Sequence, residues 1–162
     1  MPTKIYRAVE TPIVFRDSGG DVVITLNNLA NNAGRVSARY DRGEGSRARL
    51  HEIKAVIQVN ATVVAGVAIE IWLFQSDGTY ADGTVGTADA ALPTAKRNNG
   101  LFIGAVIADQ TAATVDMVAT FQDVPIASRY YSIGLFNSSA VALQATANAC
   151  RVIVTPMPDE VQ

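Results

Sequence analysis

Apolar and polar residues alternate along much of this chain, most clearly over residues 47–75. Ile53, Ala55, Ile57 and Val59 fall on one side of an extended segment, with Glu52, Lys54, Gln58 and Asn60 on the other. After a break at 61–66, Val67, Ile69, Ile71 and Leu73 face one way, and Glu70 and Trp72 the other. A repeat of two is the period of a strand with one buried face. Two such strands with a short connection predict an antiparallel hairpin at the centre of a β fold. Trp72 and Phe74 make the second strand apolar on both sides at its end. That leaves two readings: burial of both faces, by sheet packing or a covering loop, or an aromatic anchor in a subunit interface, where tryptophan is enriched.

The rest of the chain follows the same period. Residues 1–12, bracketed by Pro2 and Pro12, read as an arm or edge strand with Ile5 and Tyr6 as scattered apolar points. Such an arm either frays or docks on a neighbouring subunit. Short strands at 13–15 and 21–26 are separated by the turn Asp17-Ser18-Gly19-Gly20, and NNLANNAG at 27–34 reads as a loop. A strand at 35–40 and a Gly-rich turn at 41–46 lead into the central segment. Arg35, Arg39, Arg42, Arg47, Arg49 and Lys54 cluster there, diluted by Asp41, Glu44 and Glu52. The cluster reads as a solvated strand edge, as a contact with an acidic protein surface, or, third because the acids dilute the patch, as a phosphate-binding site.

Residues 76–100 form the longest irregular stretch, with two Asp-Gly pairs, Pro93 and Asn98-Asn99-Gly100. A loop of that length is usually functional or interfacial, and it offers Tyr80, Lys96 and Arg97 as contacts. Leu101, Ile103, Ala105 and Ile107 predict the next buried face, followed by Val115, Met117, Ala119 and Phe121. A loop is expected at 122–128, a strand through Tyr131, Ile133 and Leu135, and a long final strand over 141–154 with a bulge near 148–150. The segment EIWLFQSDGT at 70–79 is echoed by SIGLFNSSAV at 132–141, which suggests equivalent strands at one end of a sandwich. No amphipathic helix stands out. About eight to nine strands predict an all-β fold, an antiparallel two-sheet sandwich or a barrel. The body would span 13–155, with an N-terminal arm at 1–12 and a C-terminal tail at 156–162.

Composition narrows the function. With 162 residues the chain can bury one core without staples. Apolar residues make up 49% and charged residues only 17%, which suits a surface largely covered by partners. A net charge of −2 argues against a general nucleic-acid binder. The single cysteine, Cys150, allows no intramolecular disulfide and reads as a small buried hydrophobe. His51, the only histidine, opens a strand among charged residues and is expected to be exposed, which disfavours a Cys–His pair. No apolar run approaches the roughly 20 residues of a membrane helix. The first residues lack a signal-peptide core, so the expected site of assembly is a cytoplasm.

Chemical signatures are missing. There is no G-x-S-x-G, C-x-x-C, G-x-G-x-x-G or histidine pair with metal spacing. Asp77, Asp82 and Asp89 do not fit a calcium loop, and nothing singles out a working pair of carboxylates. The expectation is a protein with no catalysis, cofactor or bound metal.

Several stretches together resemble a family of small jelly-roll proteins that decorate, or cement, the capsids of tailed bacteriophages. The likeness rests on DVVITL at 21–26, the Gly/Arg/Ser-rich turn at 42–47 and I-x-A-x-I-x-V at 53–59. It continues through AIEIWLF at 68–74, the polar Asp-Gly loop and Y-x-I-G-L at 131–135. The resemblance implies a jelly-roll-like sandwich on the exterior of a virion. Its partners would be the major capsid protein and itself, as a dimer or trimer, with no direct nucleic-acid or membrane contact. Candidate interface residues are then Ile5, Tyr6, Arg39, Arg42, Arg47, Trp72, Phe74, Tyr80, Lys96 and Arg97. The competing expectation is a tail-associated receptor- or carbohydrate-binding module, with Trp72, Tyr80, Tyr130 and Tyr131 as possible aromatic platforms.

Overall fold

The computed structural model describes residues 5–7, 10–44, 48–78, 80, 84–109 and 112–161, with strands 5–7 and 159–161 described by backbone alone. Its strands are β1 (Ile5–Arg7), β2 (Ile13–Arg16), β3 (Val22–Val23), β4 (Ala33–Val36), β5 (Tyr40–Asp41), β6 (Leu50–Ile57) and β7 (Ala68–Ser76). They continue with β8 (Ala90–Ala91), β9 (Leu101–Ile107), β10 (Met117–Pro125), β11 (Tyr130–Ser138), β12 (Arg151–Met157) and β13 (Asp159–Val161). The first sheet runs β10-β6-β12-β2-β3 and the second β8-β4-β11-β7-β9, with β5 also on β11.

Without the two-residue strands β3, β5 and β8, eight strands remain in the two sheets, and their pairing is nested. β2 pairs with β12, β4 with β11, β6 with β10 and β7 with β9, all antiparallel. First meets last, second meets seventh, and so inward: a long hairpin rolled up on itself, which is the jelly roll. Among the described residues no ladder joins the edge strands β9 and β10, so the sandwich is not a closed barrel.

The expected central hairpin is not formed. β6 and β7 lie in opposite sheets, and their apolar faces meet across the core through Ile53, Ala55 and Ile57 on one side and Ile69, Ile71 and Leu73 on the other. Alternation fixes which face is buried but is blind to which strand lies alongside. Facing β6 against β7 lets each face cover the other.

Three other expectations are corrected. The final strand begins only at Arg151, because 139–150 is a loop in which Ala140 and Asn148 take φ of 69° and 65°. Such left-handed residues leave the ladder, and Leu143 keeps a single bridge to Val59. β10 runs on through the expected loop to Pro125, across an irregularity between Phe121 and Val124 where Asp123 has φ 56°. In β9 the register slips between Ile71 and Trp72: Val106 lies opposite inward Ile69 and is buried, Ile107 lies opposite Ala68 and is exposed, and Leu101, opposite inward Leu73, is still 45% exposed at the sheet edge. Gly104 sits at the slip, and a Cβ there would lie 2.3 Å from the Phe121 ring.

The long 76–100 segment is a cover rather than a bare loop. It holds β8 and a 3₁₀ helix at Thr94–Asn99, and it folds over the outer face of the second sheet. There Phe74, Val36, Val85 and Leu92 make a second, small core. Gly134 on β11 makes room for it, since a Cβ would stand 2.6 Å from the Phe74 ring. With cover on both faces, Tyr131 through Asn137 are all buried. The two echoed segments lie on β7 and β11, antiparallel neighbours whose like residues therefore sit at opposite ends of the sheet rather than one end. At the chain ends, β1 pairs with β13, so the expected arm and tail meet in a two-stranded sheet of their own.

Candidate functional site

The covering segment leaves part of the second sheet's outer face open, beside its edge strand β9. Glu70 and Trp72 point outward on β7, and their partners across the ladder are Ala105 and Phe102; Ile107 pairs with Ala68. Phe102 is 50% exposed and Ile107 52%, in contrast to the buried face opposite. The Trp72 and Phe102 rings meet at 5.0 Å and 55°, a tilted aromatic contact. The Trp72 indole N–H donates to Glu70 Oε2 at 3.0 Å, and Arg97 from the 3₁₀ helix pairs with the same carboxylate oxygen. The Arg97 guanidinium also lies 4.0 Å over the Phe136 ring. The one carboxylate and one guanidinium cancel locally, so the face is aromatic and aliphatic with little net charge.

This surface turns the corner at β9. Leu101, Phe102, Ile103, Phe121, Val124 and Pro125, with the polar Gln122 and Asp123, line an open groove of about 320 Å³ between the two edge strands. Leu101 is exposed, and so is Val118 on β10, which pairs with Val56 in the first sheet. β9 itself reads LFIGAVI, without one charged residue. Edge strands are normally guarded by charge, and apolar surface that wraps an edge marks a contact site.

The anticipated contact residues divide. Trp72 belongs to this surface, half-buried, with Arg97 and Lys96 on the adjoining 3₁₀ helix. Phe74 does not, because the chain's own loop buries it completely. Arg42 turns inward as well: Nη1 donates to the Ile126 carbonyl at 2.6 Å and Nη2 to the Ala48 carbonyl, so it ties loops together. Arg39 lies 4.3 Å over the Tyr130 ring, and Tyr80 donates its hydroxyl to the Gln75 carbonyl while 40% exposed. Arg47 and the side chains of Ile5 and Tyr6 fall outside the described residues. Leu101, Phe102, Ile107 and Val118 were missed. The available signal was the uncharged β9 sequence, but strict alternation assigned Leu101 and Ile107 to the core.

No protein-family model and no characterised protein matches the chain in sequence.

Part of the basic cluster, and Arg129 beside it, makes contacts within the chain. Arg35 binds Asp89, and Arg129 holds Asp41 through two contacts of 2.9 Å while reaching Glu44 at 2.9 Å. The hydrogen bonds from Arg129, and then that from the Gly43 N–H, lower the Asp41 pKa to about 2. Among the described residues no group of histidine, cysteine and carboxylates is arranged to hold a metal, and no helix is long and apolar enough to cross a membrane.

His51 and Cys150 complete the survey. His51 is 1% exposed, contrary to expectation: it shares the inward parity of Ile53 and Ala55, which outweighs its charged sequence neighbours. Cys150 lies against Gln58, beyond the opposite end of β6, with its sulfur 3.4 Å from the Gln58 N–H. Burial pushes the thiol up to about 11. A thiol reagent at pH 7 is therefore expected to label the native protein at less than about a hundredth of the rate seen in denaturant, measured by mass spectrometry.

Proposed function

We propose that this chain is a non-enzymatic structural protein of a virion, which binds the outside of a bacteriophage capsid and stabilises contacts between major capsid subunits. The observation that carries the reading is the apolar strip around β9, left open beside the part of the second sheet's outer face that the chain's own loop covers. A stiff jelly roll with one adhesive edge suits a clamp. Burying apolar area contributes about 25 cal/mol per Å². Repetition by capsid symmetry, with the chain itself as a dimer or trimer, would multiply modest contacts into tight attachment. The low charge of the whole sequence and the resemblance to capsid decoration proteins support the same reading.

A second reading, a tail-associated carbohydrate-binding module, draws on one feature. The Trp72–Phe102 pair stands beside Glu70 and Arg97, an aromatic face flanked by groups that bind hydroxyls.

Co-sedimentation with undecorated capsid shells tests the first reading. Phe102→Asp and Ile107→Asp, both at half-exposed positions, are expected to keep the fold and weaken shell binding by about tenfold or more, as charge in an interface core does. Unchanged sedimentation of both variants, or no sedimentation of the parent protein, would reject it. Binding of the isolated protein to a glycan array, lost with Trp72→Ala, would favour the second.

A further inference from the structure

β9 reads LFIGAVI, with Lys96 and Arg97 shortly before it and Asp109 shortly after. It pairs with β7 on one side, and among the described residues its other side pairs with no strand. The ladder decides which main-chain groups face that open side. The Ala108 N–H donates to the Val67 carbonyl at 2.9 Å, and the Ala108 carbonyl accepts from the Gly66 N–H at 3.0 Å. Residues of an antiparallel strand turn these groups toward and away from the partner in alternation. Ile107 and Ala105, opposite Ala68 and Glu70, therefore turn their N–H and C=O groups away from β7.

The other outer strands of the two sandwich sheets are guarded. β3 and β8 have two residues each. β10 is irregular between Phe121 and Val124 and carries Asp123 and Pro125 at its end. Short length, charge, proline and bulges all discourage edge pairing. β9 has its slip beside Trp72, yet Gly104–Ile107 runs in unbroken register along 68–71 without a charge.

An open edge takes an extended strand, and charge and symmetry select that strand. An antiparallel second β9 sets apolar residues against apolar residues in any register. It also brings the Asp109 end of one copy toward the Lys96–Arg97 end of the other, whereas a parallel copy would bring like charges together. Two-fold pairing uses the open edge of both copies at once, so the assembly closes as a dimer. Phe102 and Ile107 stay on the outer face of the joined sheet, where the apolar strips of two copies become one surface. The capsid reading uses that surface, but the pairing needs no capsid.

We infer that two copies of this chain join through β9, edge to edge and antiparallel about a two-fold axis, into one continuous sheet.

Sedimentation velocity of the full chain over a concentration series tests it, together with amide hydrogen exchange at the two ends of the series. A monomer–dimer equilibrium with nothing larger is expected. The Ala105 and Ile107 amides should be protected in the dimer and exchange freely on dilution. Ala105→Pro removes an N–H that β7 does not use, and should weaken the dimer by about tenfold or more, since symmetry counts the loss twice. Should that variant not fold, Ile107→Lys, at a half-exposed position, is expected to weaken it as strongly by setting charge on the edge. A monomer at every concentration, growth beyond the dimer, a dimer that leaves both amides unprotected, or a dimer unchanged by the variants would overturn the inference. A dimer of this kind that does not sediment with shells would keep it and reject the capsid reading alone.

Discussion

Replacing Phe74 by alanine is expected to destabilise the protein by about 3–5 kcal/mol, the usual cost of emptying a well-packed aromatic site. Phe74 is completely buried, yet it points away from the main core. Its ring is enclosed by Val36, Val85 and Leu92, all contributed by the second sheet and the segment that covers it. Glycines hold the space open: a Cβ on Gly100 would lie 2.7 Å from the ring, and one on Gly134 2.6 Å. Such a site cannot collapse cheaply, because backbone at Gly100 and Gly134 forms part of its wall. The measurement is denaturant unfolding, with hydrogen exchange to locate the damage. Amides of residues 84–92 should lose protection before those of β6 and β12, since only the former depend on this ring for attachment. A loss below about 1 kcal/mol would show that Phe74 does not pin the segment.

The same residue shows how far the sequence could be read. The even-numbered apolar positions on β7 raised the right question, because a strand with two apolar faces needs two covers. That a loop supplies the second cover is visible only through Gly100 and Gly134, whose meaning is the volume they leave to a ring far along the chain. Alternation identified the inward residues of β6, β7 and β11, since period-two burial is local. It could not choose between a hairpin and opposite sheets for β6 and β7, because either arrangement buries the same side chains. Local defects defeated it in β9 and after Ser138, where a slipped register and left-handed residues reset the parity without an apolar signature. His51 was misjudged for the opposite reason. Parity placed it with Ile53, and the charges beside it were allowed to outvote the period. The apolar β9 strip was legible in composition, as a strand without charge, but its exposure only once the topology shows that β9 is an edge.

His51 also gives the protein a pH dependence of defined sign. Its pKa is about 4 in the folded state and 6.5 in the unfolded chain, so the unfolded chain binds the extra proton between these values. Stability should therefore be full above about pH 6.5, fall as the pH drops, and level off below about pH 4. The gap corresponds to about 3 kcal/mol, a large share of a typical domain's stability. The cause is geometric. Protonation would put a cation into a site 1% exposed and beside the Arg42 guanidinium, where Glu10, itself exposed, is the carboxylate among the described residues lining the nearby cavity. The backbones of Val124 and Arg49 favour the charged ring but do not outweigh burial and Arg42. Asp41 does not confuse the window. Held at about 2 against 3.8 unfolded, it contributes stability that is lost only as the pH falls below about 3.8. Denaturation midpoints measured from pH 7.5 to 4 should thus decline steeply in the parent protein and much less in His51→Gln, whose side chain cannot titrate. Parallel curves for the two proteins would mean that the imidazole is reached by solvent or paired in the native state, and the buried neutral histidine would have to be abandoned.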